Sequence, residues 1–210
     1  MKVAILGGTG SFGRALAARL AAAGEDEIVI GSRDEDRARA AADELGPGVS
    51  GATNRRGVAG VDLAVLAVKA DAALETAQEV AAALGETPLL SVASQLTFMS
   101  GGVLPDADAR SLAERVQDVV SGPVAAGLHS IAASNLGEEP PDEDALVCGD
   151  DPVAKELALE LAARVVAGRA LDAGPLASAR TLEGLTAVIV NLNRRYKAHT
   201  GIAVTGVARP

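Results

Sequence analysis

Short, uninterrupted apolar runs recur along the chain, each followed by a longer stretch with helix-forming composition. Residues 3–6, 28–30, 61–68, 89–92 and 145–148 are apolar at nearly every position, the pattern of strands buried on both faces. Residues 14–23, 34–45, 72–84, 111–120 and 176–196 are predicted helices. In the last of them Leu182, Leu185, Val188, Ile189 and Leu192 fall at helical spacing. Another helix is predicted to begin at Gly149-Asp150-Asp151-Pro152, an acidic cap with Pro in the first turn, and to run to about residue 167. Gly24 suits the left-handed position that closes the first helix. Residues 50–56 predict a short strand or loop, residues 99–109 a loop, residues 137–144 an acidic surface loop, and residues 169–175 a last strand and turn. Pro123-Val124-Ala125-Ala126 leads into Leu128-His129-Ser130-Ile131.

Strand and helix alternate through most of the length. That order implies an α/β fold with a parallel, doubly wound sheet and right-handed crossovers. The expected division is a dinucleotide-binding part over residues 1–150 and a small helical part, residues 151–210, packed on it.

The first strand runs directly into Gly7-Gly8-Thr9-Gly10-Ser11-Phe12-Gly13. Gly8, Gly10 and Gly13 have the spacing G-x-G-x-x-G between a strand and a helix, the context in which this motif binds a pyrophosphate. The first glycine is expected to allow a tight turn, the second a close approach of backbone to phosphate, the third close packing of helix on strand. The free N–H groups and dipole at the helix start then favour an anion. The expected contacts are Gly8, Thr9, Gly10, Ser11, Phe12 and Gly13.

The second strand ends in Gly31-Ser32-Arg33-Asp34. This corner faces the adenosine ribose in dinucleotide folds, where an acidic residue would accept from a 2′-hydroxyl and repel a 2′-phosphate. Here a small residue, a hydroxyl and a guanidinium make a phosphate pocket, with Arg37 one turn further on. The cofactor expected is therefore NADP rather than NAD. Two other readings stand beside it: Ser32 caps the following helix and Arg33 is merely solvated, or Asp34 reaches the ribose. At the next strand exit Val68 and Lys69 lie at the ligand-binding edge. Lys69 is either a solvated strand end or a cofactor contact. Ala93 follows the strand after that.

Composition narrows the partners. The chain has 210 residues and a net charge of −9, which argues against nucleic acid or an anionic membrane. No apolar run reaches the length of about 18 residues that a membrane span needs, and the first residues show no signal-peptide pattern. Aromatic residues are 1%, so the core must be built from Ala, Val, Leu and Ile. The lone cysteine, Cys148, permits no intrachain disulfide and fits a reducing cytoplasm; it reads as a small buried hydrophobe. With two histidines and one cysteine there is no metal-ligand spacing.

Taken together, the glycine turn, Gly31-Ser32-Arg33, Leu128-His129-Ser130-Ile131, Val147-Cys148-Gly149-Asp150-Asp151, Asp172-Ala173-Gly174-Pro175 and Asn191-Leu192-Asn193-Arg194-Arg195-Tyr196-Lys197 resemble the NADPH:coenzyme F420 oxidoreductases across nearly the whole chain. The resemblance implies a Rossmann domain with a small C-terminal part, a homodimer, and hydride transfer between NADP and the deazaflavin coenzyme F420. It implies Thr9, Ser32, Arg33 and Arg37 around the NADP phosphates. The deazaflavin would lie in a pocket walled by the loops after Val68 and Val92 and by the His129 segment. The chain departs from the family where that pocket falls: Lys69 replaces a Pro, Ala93-Ser94-Gln95-Leu96-Thr97-Phe98 replaces a Pro- and Val-rich loop, and Ala132-Ala133 lacks the usual Pro.

Hydride transfer between two cofactors needs no nucleophile; it needs near-attack geometry of about 3–3.5 Å in a dry site. His129 is the candidate catalytic residue, as a hydrogen-bond donor to an acceptor carbonyl or as its acid; a structural role is the other reading. Arg194, Arg195 and Lys197 form either a solvated helix end or a handle for the anionic tail of F420. Two alternatives to the F420 reaction remain at this stage: an NADPH-dependent reductase of another small acceptor, and a non-catalytic NADP-binding module.

Overall fold

The structure, a computed structural model, describes residues 1–24, 27–137 and 139–208. Glu138 of the expected acidic loop and the last two residues of the tail lie outside them. Eight strands form one sheet: β1 (Lys2–Leu6), β2 (Glu27–Ser32), β3 (Val49–Thr53), β4 (Leu63–Leu66), β5 (Leu89–Ser91), β8 (Val124–Gly127), β9 (Ala145–Gly149) and β10 (Ala170–Asp172). Their spatial order is β10-β9-β8-β5-β4-β1-β2-β3. Helices α1 (Ser11–Ala23), α2 (Glu35–Leu45), α3 (Asn54–Gly57), α4 (Ala70–Leu84), α5 (Leu112–Gln117), α6 (Pro152–Val165) and α7 (Ala179–Tyr196) connect and cover them.

From β3 across to β8 the strands are parallel, and β1, β2, β4 and β5 are covered on both faces, which is why those four read as continuous apolar runs. In β1, Val3 and Ile5 pack in one core with α1, α2 and α6, while Ala4 and Leu6 pack in the other with α4, α5 and the start of α7. The helix faces against the sheet are largely alanine, as Ala17, Ala38 and Ala42 are on one side and Ala73 and Ala77 on the other. A core without large rings is closed by bringing helices near the sheet.

Local signals hold at most helix ends. Gly24 closes α1 with φ 78. Asp151 accepts from Ala154 N–H at the start of α6, with Pro152 in the first turn. Ser111 and Glu114 form a reciprocal capping box on α5.

The structure corrects the sequence reading at several places. Helix α1 starts at Ser11, inside the glycine motif, rather than at residue 14. Residues 99–109 are not all loop: β6 (Leu96–Met99) and β7 (Gly102–Pro105) form an antiparallel hairpin that lies on α7, where Asn191 accepts from Val103 N–H and donates to its carbonyl. Val124–Gly127 is a full strand in mid-sheet, although its Ala-Ala-Gly run carries little strand propensity; pairing with β5 and β9 imposes it. The acidic segment before β9 is not all surface, because Glu143 and Asp144 are 4% and 1% exposed. Asp144 is paired with the buried Arg169 guanidinium, which holds its carboxyl well below the usual range.

β9 runs antiparallel to β8, and β10 runs parallel to β9. The starts of these two strands therefore stand at the edge where the other six end. Asp144 and Arg169, just ahead of them, bind the C-terminal tail there: Asp144 accepts from Val204 N–H, and Arg169 donates to the carbonyls of Val204 and Val207.

Candidate functional site

The chain leaves β1 for β2 on one side and returns to β4 on the other, so a crevice opens outside the carboxyl ends of β1 and β4, the place where open α/β sheets bind ligands. The glycine turn emerges there from β1. Its left-handed residue is Gly7, at φ 77, so the turn itself is made one residue ahead of the motif's first glycine. Gly8 instead donates to the carbonyls of Ile5 and Gly31, at 3.0 and 2.9 Å, locking the turn between two strands. A Cβ on Gly13 would lie 2.7 Å from the Gly7 carbonyl, so the third glycine does let α1 press on the turn. The cap of α1 is Gly10, which offers no side chain, and the first turn carries no acidic residue. The N–H groups of that turn are open to an anion. Gly10 and Ser11 are exposed, and Thr9 and Phe12 partly buried.

Asn54, which the sequence reading did not single out, completes this turn. Its side chain, 2% exposed, accepts from Gly7 N–H at 3.3 Å. Val68 reaches the same place from β4: a Cβ on Gly7 would meet Val68 Cγ1 at 2.6 Å.

At the end of β2 the buried Ser32 hydroxyl accepts from Thr9 Oγ1 at 3.4 Å and from Asp34 N–H at 3.2 Å. Both of its lone pairs are used, and its own proton is left for an acceptor. Ser32 is not the cap of α2. Asp34 is, its Oδ1 accepting from Asp36 and Arg37 N–H, both at 3.1 Å. Arg33 and Arg37 are exposed beside Ser32.

Further along the rim, Lys69 is exposed at the cap position just ahead of α4. Beyond β5 and β8 stands a group of buried polar side chains. His129 is 6% exposed, Ser91 0% and Ser130 3%; neither hydroxyl meets a hydrogen-bond partner, and the imidazole has only the Ala93 backbone beside it. Buried polar groups are rarely left so; this cluster has the chemistry to receive a polar ligand. Burial pushes the His129 imidazole down to about 4, and the Ala93 backbone offsets only part of that, so the ring is neutral at pH 7. Leu128, with φ 62, turns the chain into His129, whose carbonyl accepts from Thr186 Oγ1 on α7 at 2.8 Å. Thr186 also meets Ser94 at 2.8 Å, so the loops after β5 and β8 share one anchor.

A recess of about 400 Å³ at the same edge is lined by Asn135, Glu143, His199 and Gly201. His199 is exposed, and its Nδ1 meets Ser134 Oγ at 2.9 Å. Cys148 is fully buried and its thiol is pushed up to about 12, mainly by burial and then by Asp150, so it is no nucleophile. Arg194 lies over the Phe98 ring, 5.6 Å from its centre.

A model of the family described as NADP oxidoreductase, coenzyme F420-dependent, matches residues 2–95. The chain is 35% identical to the F420-dependent NADP reductase of Methanothermobacter thermautotrophicus, over 99% of this chain and 96% of that protein. It is 36% identical to the F420-dependent NADP reductase of Methanothermobacter marburgensis, over 99% of each. Among solved structures, a putative F420-dependent NADP reductase from Arthrobacter superposes with a TM-score of 0.81 at 27% identity, covering 97% of this chain and all of that one. With full-length identity above 30% on a shared architecture, this chain belongs to the family of F420-dependent NADP reductases.

Proposed function

We propose that this protein transfers a hydride between NADP(H) and coenzyme F420. The observation that carries the reading is one rim holding three things: a glycine turn with open N–H groups, a serine with a free proton beside two exposed arginines, and the buried polar side chains of His129, Ser91 and Ser130 at the ends of β5 and β8. The turn formed by Gly8, Thr9, Gly10, Ser11, Phe12 and Gly13 holds the pyrophosphate. Ser32, Arg33 and Arg37 hold the 2′-phosphate, each charged hydrogen bond contributing roughly 1.5–3 kcal/mol. Val68, Lys69 and Ala93 border the nicotinamide.

The bound nicotinamide and deazaflavin supply the redox chemistry; the protein aligns them and excludes water. A neutral His129 suits a hydrogen-bond donor to a carbonyl better than an acid, since an imidazole at about 4 carries no spare proton at neutral pH. Residues 1–150 would carry the nucleotide, with residues 151–210 completing the rim.

The same reading includes a cytoplasmic homodimer. Val188, Leu192 and Tyr196 form an exposed apolar stripe on α7, beside exposed Phe98, Met99 and Leu104 of the hairpin, and a second copy of this chain would cover that face. A lone, buried, high-pKa cysteine suits a reducing compartment. No helix among the described residues is long and apolar enough to cross a membrane.

The test is to mix purified protein with NADPH and F420 and follow the deazaflavin absorbance. Bleaching coupled to NADPH loss is expected; no change at any pH overturns the reading.

A further inference from the structure

Most arginines of this acidic chain are engaged within it, as Arg14 is with Glu44 and Arg169 with Asp144. Arg33, Arg37 and Arg55 are different. Each is exposed, and among the described residues none makes an ion pair or a side-chain hydrogen bond. All three stand at the carboxyl ends of the neighbouring strands β2 and β3.

Their closeness follows from the register. Ser32, at the end of β2, is the partner of Thr53, at the end of β3. Adjacent strands lie about 4.8 Å apart. Arg55 comes two residues after Thr53, in the single turn of α3. The residues on either side of it are fixed on this corner: Asn54 bonds Gly7, and Arg56 meets Glu35 at 3.1 and 3.3 Å.

The local acids form no ion pair with these three. Asp34 turns its Oδ1 to the cap of α2, and Glu35 is shared by Arg39 and Arg56. Three guanidiniums without an ion-pair partner at two adjacent strand ends are held together more favourably when an anion comes between them. A phosphomonoester, with a charge of about −1.5 to −2 at pH 7 and three acceptor oxygens, matches that demand.

We propose that Arg55 is a third guanidinium of the pocket for the adenosine 2′-phosphate and a determinant of the preference for NADPH over NADH. The proposal rests on the reading of Ser32, Arg33 and Arg37 as that pocket.

The experiment titrates NADPH and NADH separately into the wild-type protein and into Arg55→Ala, Arg55→Gln and Arg33→Ala, by calorimetry at two salt concentrations. Melting temperatures check that each variant folds. Both Arg55 variants should weaken NADPH binding about tenfold, the scale of one charged hydrogen bond, and leave NADH within about twofold. The difference should shrink at the higher salt. Equal weakening of both nucleotides would place Arg55 on the adenine and overturn the proposal, as would no change in either. Arg33→Ala separates the two levels. If it loses the NADPH preference while the Arg55 variants keep it, only the role of Arg55 fails. If Arg33→Ala also keeps it, the pocket itself is elsewhere.

Discussion

The side chain of Asn54 accepts the backbone N–H of Gly7 across 47 residues of sequence, fixing the one left-handed residue of the glycine turn from the neighbouring strand end. Removing that acceptor leaves a partly buried N–H unpaired, at about 1–3 kcal/mol. Asn54→Ala should therefore lower the melting temperature and, on the proposed reading of the turn as the pyrophosphate site, weaken NADPH and NADH alike. A loss confined to NADPH would show that Asn54 acts on the 2′-phosphate instead.

On the proposed reading of His129 as the donor to the acceptor carbonyl, His129→Ala should lower turnover on the order of tenfold or more while NADP affinity changes by less than about threefold. Unaltered turnover would make the residue structural. The ring also sets a pH dependence of stability. Its folded pKa, about 4, lies below the ordinary 6.5, so the unfolded chain takes up the proton first. Stability is full above pH 6.5 and falls as pH drops toward 4, by up to about 3 kcal/mol. His129→Gln should flatten that limb in denaturant titrations at stepped pH.

Glu183 works in the opposite direction. It is 2% exposed on α7, and its Oε1 accepts from Leu112 N–H at 2.7 Å and Ala113 N–H at 3.3 Å at the start of α5. Burial pushes its carboxyl up to about 7 from 4.5. The folded protein holds the proton longer than the unfolded chain, so the stabilisation is complete below pH 4.5 and fades as pH rises through 7. Glu183→Gln keeps the acceptor and cannot ionise. Its stability relative to wild type should improve between pH 5 and pH 8, by up to about 3 kcal/mol. A difference that does not vary with pH would mean that Glu183 is ionised throughout.

Leu192→Asp places a carboxylate in the middle of the exposed α7 stripe. Sedimentation should then show a monomer where the parent protein sediments as a dimer, with the melting curve of the isolated chain otherwise preserved. A parent protein that is already monomeric removes the stripe from consideration.

What could be read directly from the chain was whatever depends on neighbours in sequence. The glycine turn, the Gly24 stop, the Asp151-Pro152 start and the buried strands are all local patterns. The hairpin at residues 96–105 was hidden because its turn-rich composition resembles loop, and its order comes from Asn191, 88 residues away from Val103. Strand β8 is assigned by its partners rather than its own residues. Asn54 and Glu183 looked like ordinary polar positions, since Glu183 finds Leu112 across 71 residues. A carboxylate next to Leu182 on the inward face of the last helix was the one available hint. The turn-making role of the first glycine was also placed one position late, at Gly8 instead of Gly7, because a fingerprint describes spacing and not which residue has positive φ.

The reversal of β9 and β10 reaches beyond the sheet itself. It brings residues 202–207 to the same edge of the sheet as the glycine turn, whereas Lys2 opens β1 at the opposite edge. A fusion partner joined beyond Val207 would sit at the edge that carries the proposed site, while one joined ahead of Lys2 would sit away from it, so attachment ahead of Lys2 is the better choice for binding measurements.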